Sequence, residues 1–209
     1  NRAKGSGSWE IGEKGSELQG AGIDHTAGAL NPKWDEPYAN LGLLKTQQQD
    51  FPAAVEALRE ALKRKPGTAG TAINLGNALK DTGAPDEAVA AYRQALGPGP
   101  HQAAAHNNIG AVLFERDLAE AVANFQRAAE IDPGFAAAQL NLGRGLFRLG
   151  RLEEAAAALT RAVALDPKSS GAAVMLANTL RDLDQPDWNP TAETLRKLES
   201  YLFANDDSP

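Results

Sequence analysis

Apolar residues recur at three- and four-residue steps through the middle of the chain. In one stretch Leu41 and Leu44 are followed by Val55, Leu58 and Leu62. Such spacing places apolar side chains on one face of an α-helix. Short polar segments that favour turns separate the helical runs, at 47–52, 81–86, 115–117 and 148–151. The pattern therefore predicts amphipathic helices joined in pairs by tight turns, and an all-α protein.

The helical pairs repeat. Glycines recur 34, 34 and 33 residues apart, at Gly42, Gly76, Gly110 and Gly143. An alanine series has the same period, at Ala61, Ala95, Ala128 and Ala162. So does a proline series, at Pro66, Pro100, Pro133 and Pro167. Three independent series with one period predict a stack of similar helical hairpins.

Small and large residues alternate within each unit in a way that suits close helix packing. Each first helix carries one of the repeated glycines, which allows the second helix to approach. The second helices carry small residues at Ala54, Ala88, Ala121 and Ala155, and larger ones at Leu58, Tyr92, Phe125 and Leu159. A single hairpin cannot bury both of its faces, so we expect the units to stack on one another.

Residues at the turns support the same boundaries. Gly83 and Gly150 can adopt the left-handed conformation that ends a helix. Pro52 and Pro85 lie near the start of a second helix, where a backbone N–H is not needed. We place the units at 35–68, 69–102, 103–135 and 136–169. A glycine-rich arm, with a decayed repeat as the alternative, precedes them at 1–34; an irregular fifth unit with a capping helix at 170–203 and an acidic tail at 204–209 follow.

This pattern resembles the tetratricopeptide repeat (TPR) family over residues 35–169. The resemblance rests on Leu-Gly or Ile-Gly, then Ala, then a large residue, then Ala and Pro, in each unit. It implies a right-handed superhelical solenoid whose first helices line a concave surface. Two departures are visible: Lys45 replaces a large apolar residue, and the third unit is one residue short.

A row of amides falls on the expected concave face, at Asn40, Asn74, Asn108 and Asn141. A side-chain amide is both donor and acceptor, so it can bracket the peptide group of an extended chain. The row resembles the asparagine ladder in the TPR superhelix of O-linked N-acetylglucosamine transferases, which implies that it binds a polypeptide backbone. The same amides could instead hydrogen-bond only to neighbouring helices, and the sequence leaves both interpretations open. The predicted groove also includes Ile73, Asn77, Leu140, Arg144 and Asn178.

Composition narrows the choice of function. The formal net charge is −6, which argues against a dedicated nucleic-acid binder, because phosphates are bound mainly by Lys and Arg. The chain has no cysteine and three histidines, so we expect no catalytic residues, metal site or cofactor. No stretch approaches 18 consecutive apolar residues, so we expect a soluble protein without membrane insertion. The compartment stays open between the cytoplasm and an organelle interior.

The sequence therefore predicts a non-catalytic scaffold that binds a protein or an extended peptide in its concave groove. An assembly or structural subunit of a multiprotein complex is the first alternative, with the arm and the terminal helix making the contacts. A regulatory TPR segment of a larger transferase is the second alternative.

Overall fold

A computed structural model describes residues 35–183, and within this range the chain is helical without β-strands. The helices are α1 Glu36–Gln47, α2 Phe51–Arg64, α3 Ala69–Asp81, α4 Pro85–Gln94, α5 Gln102–Leu113, α6 Leu118–Ile131, α7 Ala136–Arg148, α8 Leu152–Leu165 and α9 Ser170–Asp182. Each helix packs against the next along the chain, which produces a helical solenoid. The predicted all-α solenoid is confirmed, whereas the exact boundaries between units stay a prediction.

The glycines of the first helices lie where the two helices of a hairpin touch. All four are buried, and a large side chain of the second helix fills the space beside each of them. These side chains are among the largest that are fully buried: Leu58, Tyr92, Phe125 and Leu159. The paired alanines of the second helices are completely buried as well. Each hairpin core thus forms around one glycine and one large side chain.

The turns within the hairpins follow the predicted chemistry. Gly83 and Gly150 have φ angles of 77° and 73°, and Gln49 takes the corresponding place in the first hairpin at 60°. Asp117 opens α6 by accepting a hydrogen bond from the backbone N–H of Glu120 at 2.9 Å. A carboxylate at this position satisfies one of the unpaired N–H groups of a helix start.

The stack curves toward its first helices. The first helices of units 1 and 2, 3 and 4, and 4 and 5 lie against one another, whereas no pair of consecutive second helices in residues 35–183 approaches comparably. The row of first helices is therefore the inner side. Lys45, a departure from the repeat pattern, forms an ion pair with Asp50 at 3.5 Å. The predicted arm at 1–34, the capping helix of the fifth unit and the acidic tail lie outside the described residues.

Candidate functional site

The predicted amide ladder lies along the inner row of helices, one asparagine on each of α1, α3, α5 and α7. Asn40 is exposed, and the other three are half-buried. Their positions follow from the repeat, because one register of every first helix points in the same direction. The amides therefore form a line along the inner surface rather than scattered polar groups.

Hydrogen bonds join two of these asparagines, Asn108 and Asn141, to other amides across three units. Asn108 donates to Oδ1 of Asn77 at 3.4 Å, which connects α5 to α3. Asn141 donates to Oδ1 of Asn107 at 2.9 Å, which connects α7 to α5. Asn107 in turn donates to Oδ1 of Asn108 at 3.5 Å, which closes the chain of contacts. The inner surface of units 2 to 4 thus carries one continuous amide network.

Tyr92 anchors one end of this network. Its hydroxyl donates to Oδ1 of Asn77 at 2.7 Å, so that this oxygen accepts from both Tyr92 and Asn108. Burial, with a smaller contribution from the Asp81 carboxylate, raises the pKa of Tyr92 above its ordinary value. By donating to Oδ1 of Asn77, the phenol holds this amide so that its nitrogen is free to donate.

Hydrogen-bonding capacity remains for a ligand. A side-chain amide has two N–H donors and an oxygen with two lone pairs. Asn108 and Asn141 each use one N–H in the network and keep the other. The side chains of Asn40, Asn74 and Asn178 make no hydrogen bond within residues 35–183. Lateral bonding and peptide binding are therefore compatible, since the first orients the groups that the second requires.

The remaining predicted groove residues have different environments. Ile73 and Leu140 are half-buried and pack against hydrophobic clusters of the core, so only part of each side chain faces the groove. Arg144 is exposed, and its guanidinium lies 5.2 Å from the centroid of the Phe114 ring. Arg144 forms no ion pair with any described residue, so its charge is available to an anionic group.

The aromatic residues of this surface were not predicted to lie there. Phe114 also lies under the guanidinium of Arg148, at 4.9 Å, and Arg148 pairs with Glu115 at 2.7 Å. These residues come from two different units, and a single repeat carries no signal for such a contact. Tyr92 was predicted only as a core residue, because its hydroxyl partner is on another helix.

Within residues 35–183, no cluster of three or more His, Asp and Glu side chains has a geometry that could hold a metal ion. His106 instead hydrogen-bonds through Nδ1 to Oδ1 of Asn124 at 3.0 Å, as expected for a structural residue between helices. None of the described helices is long and apolar enough to cross a membrane.

Comparison with solved structures gives the same architecture. A crystal structure of MamA shares 22% identity and a TM-score of 0.66, over 80% of this chain and 90% of that one. YrrB, described as a TPR protein with an unusual peptide-binding site, shares 22% identity and a TM-score of 0.65 over 84% and 90%. PilF of Pseudomonas aeruginosa shares 23% identity and a TM-score of 0.66 over 84% and 77%. At this level of identity the likeness establishes the fold.

Among curated proteins, none matches the chain. Sequence models described as tetratricopeptide repeats match residues 40–103, 73–134 and 113–175, which together span more than half of the chain. These matches cover the same stacked hairpins, with their buried glycines and inner row of amides. The chain therefore belongs to the tetratricopeptide repeat family.

Proposed function

We propose that this protein is an interaction scaffold whose inner groove binds an extended segment of a partner protein through its peptide backbone. Repeats of this family serve as protein-interaction scaffolds, and the finer assignment rests on the amide network. Hydrogen bonds that orient Asn77, Asn108 and Asn141 fix where their remaining polar groups point before any ligand arrives. Binding to such a prepared surface costs less ordering entropy.

Backbone recognition follows from the chemistry of the row. An extended chain presents an N–H and a C=O on almost every residue, and an amide can pair with both. Each net hydrogen bond contributes about 0.5–1.5 kcal/mol, so four amides together can offset a substantial part of the association cost. Side chains of the ligand would modulate affinity through exposed Leu43 at one end and Arg144 toward the other.

The decisive experiment changes the amides that have no structural bond. Asn40→Ala and Asn74→Ala together remove two ladder amides without removing a hydrogen bond seen within residues 35–183. The probe is a peptide selected from a random library against the whole chain, followed by fluorescence anisotropy. We expect affinity to fall roughly 5- to 150-fold. Gln94→Ala, at an exposed position of α4, is the matched control and should leave affinity unchanged.

Backbone recognition has its own signature. Methylating peptide nitrogens of the selected peptide should abolish binding, while replacing its side chains one at a time should have smaller effects. Full affinity in the double variant, or a peptide insensitive to N-methylation, would refute the ladder. Binding that instead depends only on residues 1–30 would favour an assembly subunit.

A further inference from the structure

The side of the stack formed by the second helices carries two grooves that are equivalent by the repeat. The first lies between α2 and α4 and has a volume of about 390 Å³. The second lies between α6 and α8, with α7 as its floor, and has a volume of about 510 Å³. We refer to this second one as the outer groove, and three differences from its counterpart distinguish it.

The first difference is a missing side chain in the wall. One register of the second helices carries Leu62, Leu96 and Val163 in units 1, 2 and 4, but Ala129 in unit 3. Leu62 lines the first groove, and Ala129 lines the outer groove. Replacing a leucine side chain by a methyl group widens the outer groove and leaves this part of its wall apolar. The polar and charged lining residues are Gln126, Glu130, Gln139, Arg151, Glu154 and Arg161.

The second difference is that the outer groove lacks an ion pair between the two helices that form its walls. Arg59 pairs with Glu87 across the first groove, and Arg93 pairs with Glu120 one step further along. Gln126 occupies the next place in this arginine series. Among the described residues no ion pair joins α6 to α8. Gln126 donates to Glu130, and Arg151, just before α8, pairs with Glu154 in the first turn of that helix at 2.7 Å. The outer groove therefore stays open.

The third difference is a buried acceptor without a donor. Gln139 lines the outer groove and is only 2% exposed, yet its Oε1 has no hydrogen-bond partner within residues 35–183. His106, at the same register one unit earlier, is paired with Asn124. The residue of unit 4 that corresponds to Asn124 is Ala158, which cannot donate. A buried acceptor left in this state costs free energy that an incoming donor recovers.

We propose that the outer groove binds a tryptophan side chain of a partner protein, and that the Gln139 amide turns so that its Oε1 accepts a hydrogen bond from the indole N–H. The occupant needs an apolar body, because Ala129, Ala158, Leu142 and Leu146 line the groove, and it needs one donor for the floor. Tryptophan combines the two and is enriched among residues that dominate protein interfaces. A lysine would bring an unbalanced charge, because Arg127 and Arg151 already pair with Glu130 and Glu154 at the rim.

This site is independent of the amide ladder and can be tested separately. The probe is N-acetyltryptophanamide, titrated into the whole chain while the backbone amide signals of Leu142 and Leu146, which line the groove, are followed by NMR. A ligand of this size should bind with a dissociation constant on the order of 0.1–1 mM. The 1-methylindole analogue has the same body but no donor, and we expect it to bind roughly tenfold more weakly.

Two variants probe the groove from different sides. Ala129→Leu restores the residue of units 1 and 2 and should abolish binding by filling the space. Gln139→Ala should lower affinity for N-acetyltryptophanamide to that of the methylated analogue, and it places at this register the residue found in unit 2, Ala72. Gln94→Ala, in the first groove, is the control and should leave the titration unchanged.

Three results would overturn the proposal. The first is equal affinity for the two analogues, which would show that Oε1 takes no donor from the ligand. The second is the absence of any NMR shift at ligand concentrations up to 10-fold above the expected dissociation constant, which would mean that the groove does not bind an indole. The third is binding that emerges only in Trp188→Phe. Trp188 lies outside the described residues, and this result would identify it as the occupant in place of a partner.

Discussion

At the scale of single residues, the repeat allows equivalent positions to be compared within one molecule. The turn inside the first hairpin places Gln49 at a φ of 60°, where the second and fourth hairpins have glycine. A side chain at this conformation brings its Cβ close to the following carbonyl oxygen, whereas glycine avoids the contact. The first hairpin therefore tolerates a local strain that two of its neighbours do not have.

Gln49→Gly should stabilise the protein by about 0.5–1 kcal/mol, because relief of the left-handed strain exceeds the added flexibility of the unfolded chain. Urea unfolding followed by circular dichroism measures the change. The adjacent Gln48 has an ordinary φ of −78°, so Gln48→Gly should instead reduce stability by up to about 1 kcal/mol. A loss of stability in Gln49→Gly would contradict the strain argument.

At the scale of helices, the geometry of each hairpin depends on one close approach. A Cβ added to Gly110 would lie 2.7 Å from Cε1 of Phe125 and 3.0 Å from the backbone oxygen of Ala121. The aromatic ring is fully buried and the backbone of α6 cannot retreat without disturbing its own packing. The glycine is therefore required by the distance between α5 and α6, despite its low helix propensity.

Gly110→Ala should destabilise the protein by about 1–3 kcal/mol, since the overpacked contact outweighs the better helix propensity of alanine. Equilibrium unfolding in urea is the measurement. Gly171→Ala in α9 is the matched control: no atom lies within 4 Å of the added Cβ, and stability should stay level or rise by up to about 1 kcal/mol. Equal losses in the two variants would mean that the close approach is not the cause.

At the scale of the whole molecule, each described unit contacts only its neighbours along the stack. Ion pairs between the second helices, such as that of Arg93 with Glu120 at 3.3 Å, are exposed and add little stability. Cohesion comes from apolar contacts between successive hairpins, and it is local. A defect in one unit should therefore spread to adjacent units and weaken with distance.

Phe125→Ala removes the largest buried side chain of unit 3 and should cost about 3–5 kcal/mol. Native-state hydrogen exchange should accelerate most in α5 and α6, next in α4 and α7, and least in α1 and α9. Uniform acceleration of all helices would indicate a single cooperative globule instead of a stack. Exchange in Gln94→Ala serves as the reference, because this exposed residue is not part of the core.

Much of this architecture could be predicted from the order of residues alone. Spacings within one unit determine the helices, the turns, the glycine contacts and the row of asparagines. Because the unit is repeated, each of these spacings can be observed several times in the sequence. Gly83, Gly150 and the alanine–glycine pairs were predicted for this reason. The arm and the terminal cap lack such repetition, and their predicted roles stay untested.

Contacts between units could not be predicted in the same way. The distance and angle between helices decide whether such contacts form. Examples are the hydrogen bond of Tyr92 to Asn77 on another helix, that of Asn141 to Asn107 on another unit, and the unpaired oxygen of Gln139. Those distances result from the packing of many buried side chains together, so no single residue or motif encodes them. The sequence repeat determines which side chains lie on the same face of the stack. The packing of the hairpins against one another determines which of those side chains come within hydrogen-bond distance.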